Sequence, residues 1–356
     1  MSRSALSQRV GAPATLPSDR AVAVWLLVMA VLVFAMVMVG GATRLTGSGL
    51  SITEWQPIMG VIPPLSEADW KVAFDKYRQI PQYQLVNRGM SLDAFKTIFW
   101  WEWGHRFLGR LLGVAFLVPL IYFIATGAVR GRRMFGMLAL FVLGGLQGVL
   151  GWYMVQSGLV ERTDVSQYRL AAHLTFACVL FVALLWAALS VWRAERQTIY
   201  LRTLAVGSAT LSALIVLATL VQIFLGAIVA GLKAGLTYNT WPLMDGRFIP
   251  PGLLDMTPLW HNFFENHATA QFTHRLGAYA LVLLVSWHAL RVWRTADGNW
   301  LRRSALLLAL LVLAQAALGV WTLLAVVPFS LALAHQGLAV MVLAAAVWHA
   351  HLTLRP

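Results

Sequence analysis

The sequence predicts an all-α, polytopic membrane protein whose eight transmembrane helices form two pseudo-symmetric, parallel four-helix bundles. Of its 356 residues, 59% are hydrophobic and 12% are charged, which is more apolar surface than a soluble domain can bury. Eight apolar runs are each long enough to cross a bilayer. They lie near residues 21–41, 104–126, 134–156, 169–192, 203–230, 272–292, 304–326 and 330–352.

The first run is expected to be an uncleaved membrane helix. It follows a polar stretch, residues 1–20, and extends from Ala21 to Val39, which is longer than the core of a signal peptide. The single cysteine, Cys178, lies inside a later apolar run. It can form no intramolecular disulfide, and we expect no reactive role for it.

The distribution of charge predicts the orientation of the helices. The formal net charge of +13 could by itself suggest a nucleic-acid partner. If the N-terminus is cytoplasmic, however, the inner segments hold 14 basic and three acidic residues, and the outer segments hold 13 basic and 11 acidic ones. A basic excess marks the cytoplasmic side of a membrane protein. We therefore expect both termini in the cytoplasm and no nucleic-acid partner.

The second half of the chain repeats the first, which indicates one four-helix unit used twice. Both copies begin on the same side of the membrane, so the repeat is parallel; inverted repeats mark many transporters, although parallel ones also occur there. The predicted organisation is a tail at 1–20, a first half at 21–192, a linker at 193–202 and a second half at 203–356. The paired residues are Gly49 and Gly235, Trp55 and Trp241, Met59 and Met244, His105 and His274, Gln147 and Gln315, Gly151 and Gly319, and His173 and His335.

The outer segment at 44–103 is too long for a plain connector, and we expect it to be functional. Trp100, Trp101 and Trp103 come just before the second membrane helix, where a belt of interfacial aromatic residues is typical. On the third helix, the spacing of Gly144 and Gly148 predicts close packing against a neighbouring helix.

Four histidines are the strongest functional signal. His105, His173, His274 and His335 lie near the starts of the second, fourth, sixth and eighth predicted helices, which all run inwards, so the four should share one depth near the outer face. Imidazole is costly in lipid and is retained there for metal or proton chemistry. Facing pairs in a helical bundle can ligate haem iron. We therefore expect one haem between His105 and His173 and another between His274 and His335.

Two other interpretations of these histidines stay open. Any one of them could be an interfacial side chain that hydrogen-bonds a backbone carbonyl, although the repetition disfavours this for all four. Zinc is also disfavoured, because a closed zinc site needs four ligands and no thiolate or acidic cluster accompanies each pair. The remaining histidines do not repeat and are expected at the membrane interface: His261, His267, His288, His349 and His351.

Charged residues beside the histidines distinguish the two predicted sites. Arg106 and Arg275 directly follow a histidine, and each could reach a haem propionate or extend to the interface. Glu102 lies three residues before His105, on nearly the same helix face, whereas Gln271 takes that place in the second half. A carboxylate in a low-dielectric haem pocket can accept protons. The asymmetry predicts chemistry at the N-terminal site and a permanent haem at the C-terminal one.

These motifs resemble the haem A synthase family, in its proteobacterial and mitochondrial branch, over nearly the whole chain. The resemblance rests on Gly-Ala-Thr-Arg-Leu-Thr-Gly-Ser-Gly-Leu-Ser (41–51), Glu-Trp-Gly-His-Arg (102–106), His173, Thr-His-Arg-Leu-Gly (273–277) and Ala-His-Gln-Gly (334–337). Some bacterial members carry a pair of outer-loop cysteines, which this chain lacks. Thiol chemistry in the loops is therefore not expected.

The resemblance implies an oxidoreductase that converts haem O to haem A for cytochrome oxidase. Successive hydroxylations with water-derived oxygen would turn the C8 methyl group into a formyl group. It implies haem b on His274 and His335, substrate haem on His105 and His173, and Glu102 as the catalytic carboxylate. It also implies the bacterial inner membrane, with the haem sites towards the periplasm. Haem O synthase, which is a farnesyltransferase, and cytochrome oxidase assembly factors are candidate partners, and a homo-oligomer is compatible with the sequence.

Two functions from other classes compete with this one. A di-haem b electron carrier would use the same four histidines, but transmembrane electron transfer favours haems stacked across the bilayer, and a carrier has little use for Glu102 beside one haem alone. A haem transporter or assembly chaperone would pass haem on without changing its mass.

Overall fold

The chain is helical almost throughout in the computed structural model, which describes residues 17–56, 58–160, 162–193, 206–296 and 299–354. Residues 1–16 of the predicted tail and 194–202 of the predicted linker lie outside these ranges. Eight helices of the described ranges are long and apolar enough to span a membrane. The prediction of an all-α polytopic membrane protein with eight spans is therefore confirmed.

The α-helices are of two kinds, long ones that could span a membrane and short ones in the connections. Three short ones lie in the longer connections: α2 (Glu67–Tyr77), α3 (Pro81–Leu85) and α8 (Asn262–Glu265). The eight long ones are α1 (Pro17–Leu45), α4 (Leu92–Ala125), α5 (Gly131–Gln156), α6 (Gln167–Arg193), α7 (Val206–Gly231), α9 (His267–Thr295), α10 (Asn299–Leu324) and α11 (Phe329–Leu354).

Two of the spans begin well before the apolar runs that predicted them. Helix α4 begins at Leu92, where the Ser91 hydroxyl accepts a hydrogen bond from the backbone N–H of Ala94 at 3.2 Å. Helix α9 begins at His267, where the Asn266 side chain accepts from Thr269 N at 3.1 Å. Such caps satisfy amide groups that a helix start leaves without partners. The last part of the predicted outer segment 44–103 is therefore helical.

The connections after α1, α5, α7 and α10 lie at one end of the bundle, which we call the loop-rich end. Lys233, just after α7, forms an ion pair with Asp164, just before α6, with Nζ and Oδ2 2.6 Å apart. Gln167 Nε2 donates to the carbonyl oxygen of Phe264 at 3.3 Å. At the opposite end, Arg133 of α5 pairs with Asp19 of α1 at 2.7 Å.

Each half has the same order of helix neighbours. Helix α1 packs against α4 and α6, and α5 lies against α4 and α6; in the second half, α7 packs against α9 and α11, and α10 against the same two helices. Contacts of α6 with α7 and of α1 with α11 join the halves. The pseudo-symmetry of two bundles stays a prediction, and this order of neighbours is compatible with it.

A small aromatic core closes the loop-rich end of the first half. Phe95 and Tyr77 are fully buried in it, with Leu50 from the connection after α1. The Tyr77 hydroxyl donates to Gln82 Oε1 at 3.0 Å, and burial raises the pKa of this phenol. Gln82 Nε2 in turn donates to the carbonyl oxygen of Gly47 at 3.1 Å. These contacts hold the connection after α1 against the start of α4.

The structure corrects the prediction for three of the non-repeating histidines. His288, His349 and His351 are 1%, 0% and 1% exposed, so they lie inside the protein and not at the membrane interface. His288 Nε2 lies 2.8 Å from His349 Nε2, and His349 Nδ1 lies 2.8 Å from the Ser304 hydroxyl. Hydrogen bonds between these groups allow burial that would otherwise be costly.

The prediction of close packing at Gly144 and Gly148 is wrong. A Cβ atom built on either residue meets no other atom within 4 Å, so both face open space on α5. The glycine of this helix that does meet a neighbour is Gly151, at the predicted haem site.

Candidate functional site

The four predicted ligands occupy the loop-rich halves of four helices. His105 is on α4, His173 on α6, His274 on α9 and His335 on α11, and all four are partly buried. The charged groups that act on His105 include His173, and those that act on His274 include His335. These are the two pairs that the sequence predicts.

A glycine on the preceding helix faces each of these rings. A Cβ atom built on Gly40, Gly151 or Gly226 would lie 3.0 Å from an atom of its histidine ring, and one on Gly319 would lie 2.7 Å from His335 Cε1. Contacts of this length are tighter than ordinary van der Waals contact. The glycines thus let four imidazoles lie directly on a neighbouring helix backbone.

A glutamine one turn before the glycine holds three of the four histidines. The side-chain amides of Gln147, Gln222 and Gln315 donate to the backbone carbonyl oxygen of His173, His274 and His335, at 2.9, 2.9 and 3.0 Å. Sequence reasoning did not name these glutamines as site residues. The signal that could have identified them is a glutamine four residues before each of three glycines.

Glu102 lies 2% exposed between α4 and the connection after α1. Its Oε2 accepts hydrogen bonds from the Ser51 hydroxyl at 2.8 Å and from the backbone N–H of Ile52 at 2.7 Å. Its Oε1 pairs with Arg106, one turn later on the same helix. Three donors therefore converge on the two oxygens of this carboxylate.

The guanidinium of Arg106 is already bound to protein groups. It donates to the carbonyl oxygens of Glu54 and Ile52 at 2.8 and 2.6 Å, and it pairs with Glu102. Glu102 therefore accepts a hydrogen bond from the backbone N–H of Ile52, and Arg106 donates one to the carbonyl oxygen of the same residue. A cavity of about 440 Å³ opens beside this contact, lined in part by Ser51, Arg106 and Arg110.

The corresponding residues of the second half hold Tyr238, although less completely. Gln271 Nε2 donates to the carbonyl oxygen of Tyr238 at 3.0 Å, and Arg275 Nη2 donates to the same oxygen at 3.1 Å. Nε and Nη1 of Arg275 are buried without a hydrogen-bond partner in the described part of the chain. Arg275 therefore has buried N–H groups left to donate to an anionic ligand.

The residues present fit haem. Each pair supplies two imidazoles for iron, and the unsatisfied N–H groups of Arg275 suit a propionate carboxylate. Nδ1 of His173 and of His335 is also buried without a partner in the described ranges. Unpaired buried polar atoms are rare in proteins, and a bound ligand is one explanation for them.

The fold and the site define a class of protein: a multi-pass membrane protein with two pairs of imidazoles at one end of its helical bundle. A family model described as "Cytochrome oxidase assembly protein" matches residues 23–347. The chain belongs to this family, as the resemblance predicts.

Named relatives cover almost the entire chain. The chain is 57% identical over 334 residues to the "Heme A synthase" of Parvibaculum lavamentivorans, which covers 94% of each protein. It is 54% identical over 342 residues to that of Azorhizobium caulinodans, covering 96% of each. With the protein of the same name from Brucella anthropi, identity is 52% over 349 residues, covering 97% of this chain and 96% of the relative.

Proposed function

We propose that this chain is a haem A synthase, an oxidoreductase that acts on a CH group of haem. It converts the C8 methyl of haem O to a formyl group by successive hydroxylations with water-derived oxygen. His105 and His173 hold the substrate haem, and His274 and His335 hold haem b. The observation that carries the proposal is a difference between the two halves. In the first half, Arg106 pairs with the carboxylate of Glu102. In the second half, Gln271 binds a backbone carbonyl, and Nε and Nη1 of Arg275 have no partner in the described chain.

The chemistry of this proposal divides between the haem and the protein. A bound haem supplies the redox-active iron. Conversion of a methyl to a formyl group with oxygen from one water molecule releases four protons and four electrons, so the reaction requires an external electron acceptor, and a carboxylate near the reacting group can take up the protons. Glu102 lies three residues before His105 on α4, and the cavity lined in part by Ser51 and Arg106 opens next to residues that bind its carboxylate.

Gln271 supports assignment of the other site to a retained cofactor. Its amide has no ionisable proton at physiological pH, so it cannot replace Glu102 in proton transfer. Arg275 can neutralise a propionate there, because its Nε and Nη1 atoms have no partner in the described chain. Haem b would therefore be bound by two imidazoles and a cation, with an amide in the position that Glu102 takes in the first half.

The same proposal includes location and partners. We infer a multi-pass protein of the bacterial inner membrane, with both termini in the cytoplasm and the haem sites towards the periplasm. Haem O synthase delivers the substrate, cytochrome oxidase assembly factors receive the product, and self-association into a homo-oligomer is part of the proposal.

Glu102→Gln tests the catalytic assignment. The substitution keeps the shape of the side chain but removes the proton acceptor, and loss of a general base costs about 10²–10⁴-fold in rate. We expect turnover to fall within this range while both haems stay bound. Mass analysis of haem extracted from the purified protein should show a shift from haem A and hydroxylated intermediates towards haem O.

Ser51→Ala separates this role from a purely structural one. It removes one hydrogen bond to Glu102, at a cost of about 1 kcal/mol, but it keeps the carboxylate. Turnover should fall by less than about tenfold. If Glu102→Gln and Ser51→Ala were equally active, Glu102 would only anchor the connection. If the wild-type protein held haem b alone in both sites, a di-haem carrier would be the better assignment.

A further inference from the structure

The cavity of about 440 Å³ beside the ion pair of Glu102 and Arg106 is lined by both buried and exposed residues. We call it the loop cavity, because the connection after α1, helix α2 and the loop-rich half of α4 enclose it. Among its lining residues, Ser51 is buried, whereas Leu65 and Lys76 are exposed. The loop cavity therefore connects the surroundings of Glu102 with the solvent at the loop-rich end of the bundle.

The polar groups that line the loop cavity suit water. Trp103 is one of the lining residues, and its indole N–H is buried without a hydrogen-bond partner among the residues that the structure describes. Thr53 and Gln56 add a hydroxyl and an amide, and Glu54 adds a carboxylate. A cavity holds water when it is large enough and offers each molecule about two to four polar partners. The loop cavity has the volume for several water molecules and the groups to bind them.

Ser51 links Glu102 to the loop cavity. Its hydroxyl lies 2.8 Å from Glu102 Oε2, and Ser51 itself lines the cavity. Because a hydroxyl donates one hydrogen bond and accepts two, it can pass a proton between the carboxylate and a water molecule in the cavity. In Ser51→Ala, a water molecule can take the place of the hydroxyl, which agrees with the small effect expected of that variant.

The proposed reaction needs a route for water and protons. Each formyl group consumes one water molecule and releases four protons, whereas a carboxylate holds only one proton at a time. Glu102 must therefore pass each proton on before it can accept the next. Its burial, at 2% exposed, prevents direct release to bulk solvent, and Ser51, Ile52 and Arg106 bind its two oxygens.

We propose that the loop cavity is the water inlet and the proton outlet of the N-terminal site. Water enters along it towards the substrate, and each proton that Glu102 takes up leaves through Ser51 and the cavity water to the solvent at the loop-rich end. The inference rests on the proposed function, because it takes that reaction as given. The electrons of the reaction go to the external acceptor and do not pass through the cavity.

Blocking the cavity in the folded, haem-loaded protein tests the inference. Val72 lines the cavity and is exposed, so that Val72→Cys can be modified after purification, and the native Cys178 is buried. Modification with benzyl methanethiosulfonate should lower kcat for conversion of haem O about tenfold or more, because Glu102 can no longer be deprotonated between steps. The KM for haem O should stay unchanged, and the solvent deuterium isotope effect should rise. Removal of the benzyl group with a reductant should restore the rate of the unmodified variant.

Lys71→Cys is the matched control on the same helix. Lys71 is exposed, and at about 100° per residue it lies on the opposite face of α2 from Asp69, which lines the cavity. The same modification of Lys71→Cys should leave kcat and the isotope effect unchanged.

Radiolytic footprinting gives a readout that does not depend on turnover. Hydroxyl radicals formed from cavity water should oxidise the indole of Trp103, and modification of Val72→Cys should reduce this oxidation. Trp70 is buried in the aromatic core and is not among the residues that line the cavity, so its oxidation should stay low in every sample.

Unchanged kcat after complete modification of Val72→Cys would overturn the inference, as would equal losses in Val72→Cys and Lys71→Cys. Oxidation of Trp103 that the modification does not alter would overturn it as well. Failure of the proposed function has a different signature, since the unmodified protein would then leave the mass of haem O unchanged, whatever the footprint of Trp103.

Discussion

Glu102 and Arg106 form a tighter contact than their counterparts in the second half, and the difference comes from a single functional group. A carboxylate accepts from Ser51, Ile52 and Arg106. The amide of Gln271 reaches one backbone carbonyl with its nitrogen, and its oxygen is buried without a partner in the described chain. The sequence predicted the Glu–Gln asymmetry, but it placed Arg106 and Arg275 in the same role.

Arg275→Leu should loosen the C-terminal haem. The buried Nε and Nη1 atoms of Arg275 have no partner in the described ranges, and a charge-assisted hydrogen bond to a propionate is worth about 1.5–3 kcal/mol. Haem release from this site should accelerate about 10- to 100-fold. Stopped-flow transfer to apomyoglobin would measure the change.

Arg106→Leu is the comparison for this prediction. Its guanidinium is bound to Glu102 and to two backbone carbonyls, so its loss should leave release from the C-terminal site unchanged. Equal acceleration in both variants would show that Arg275 acts through general stability and not through contact with a propionate.

At the scale of the helix, a histidine ring can pack directly on a neighbouring helix only where a glycine of that helix faces it. Helix α5 carries Gly144, Gly145, Gly148 and Gly151, and only at Gly151 would an added Cβ atom meet a neighbour within 4 Å among the described residues, namely His173. The spacing of glycines could not predict this, because it does not give the rotation of α5 about its own axis. Lipid and protein are equally apolar neighbours for such a helix.

Gly151→Ala should therefore weaken haem binding at the N-terminal site. The new methyl group would lie 3.0 Å from His173 Cε1, and overpacking of this kind costs about 1–3 kcal/mol. Haem affinity should fall about 5- to 100-fold. Gly148→Ala on the same helix faces open space and should keep the wild-type haem content, which absorbance titration would determine.

His349→Ala should destabilise the second half at the end opposite the loop-rich end. It removes the hydrogen bonds of His349 with His288 Nε2 and with the Ser304 hydroxyl, each worth about 0.5–1.5 kcal/mol. The midpoint of thermal unfolding in detergent should fall by several degrees. His267→Ala removes an exposed imidazole and should have little effect; an equal loss in both variants would contradict a specific role for the buried pair.

For the whole molecule, orientation in the membrane is the property that follows most directly from charge. Arg88 lies exposed in the connection before α4, and Asn299 lies exposed at the start of α10. These positions belong to opposite ends of the bundle. Positive-inside asymmetry predicts that Arg88 lies outside the cytoplasm and Asn299 within it.

Cysteine labelling tests this orientation. A membrane-impermeant maleimide should label Arg88→Cys in cells whose outer membrane alone has been opened, whereas Asn299→Cys should react only after the inner membrane is permeabilised. Background labelling should be low, because Cys178, the single native cysteine, is buried. The reverse pattern would invert the topology and place the haem sites on the cytoplasmic side.

The sequence by itself determined the eight spans, the repeat and the four paired histidines. These follow from local requirements: a span needs about 20 apolar residues, and an imidazole is costly in lipid, so it is retained there for metal or proton chemistry. The tertiary structure alone decided the contacts of Glu102 with Ser51 and Ile52, and the mutual burial of His288 and His349. Their partners lie tens of residues apart, and only the rotation and packing of neighbouring helices determine which side chains meet.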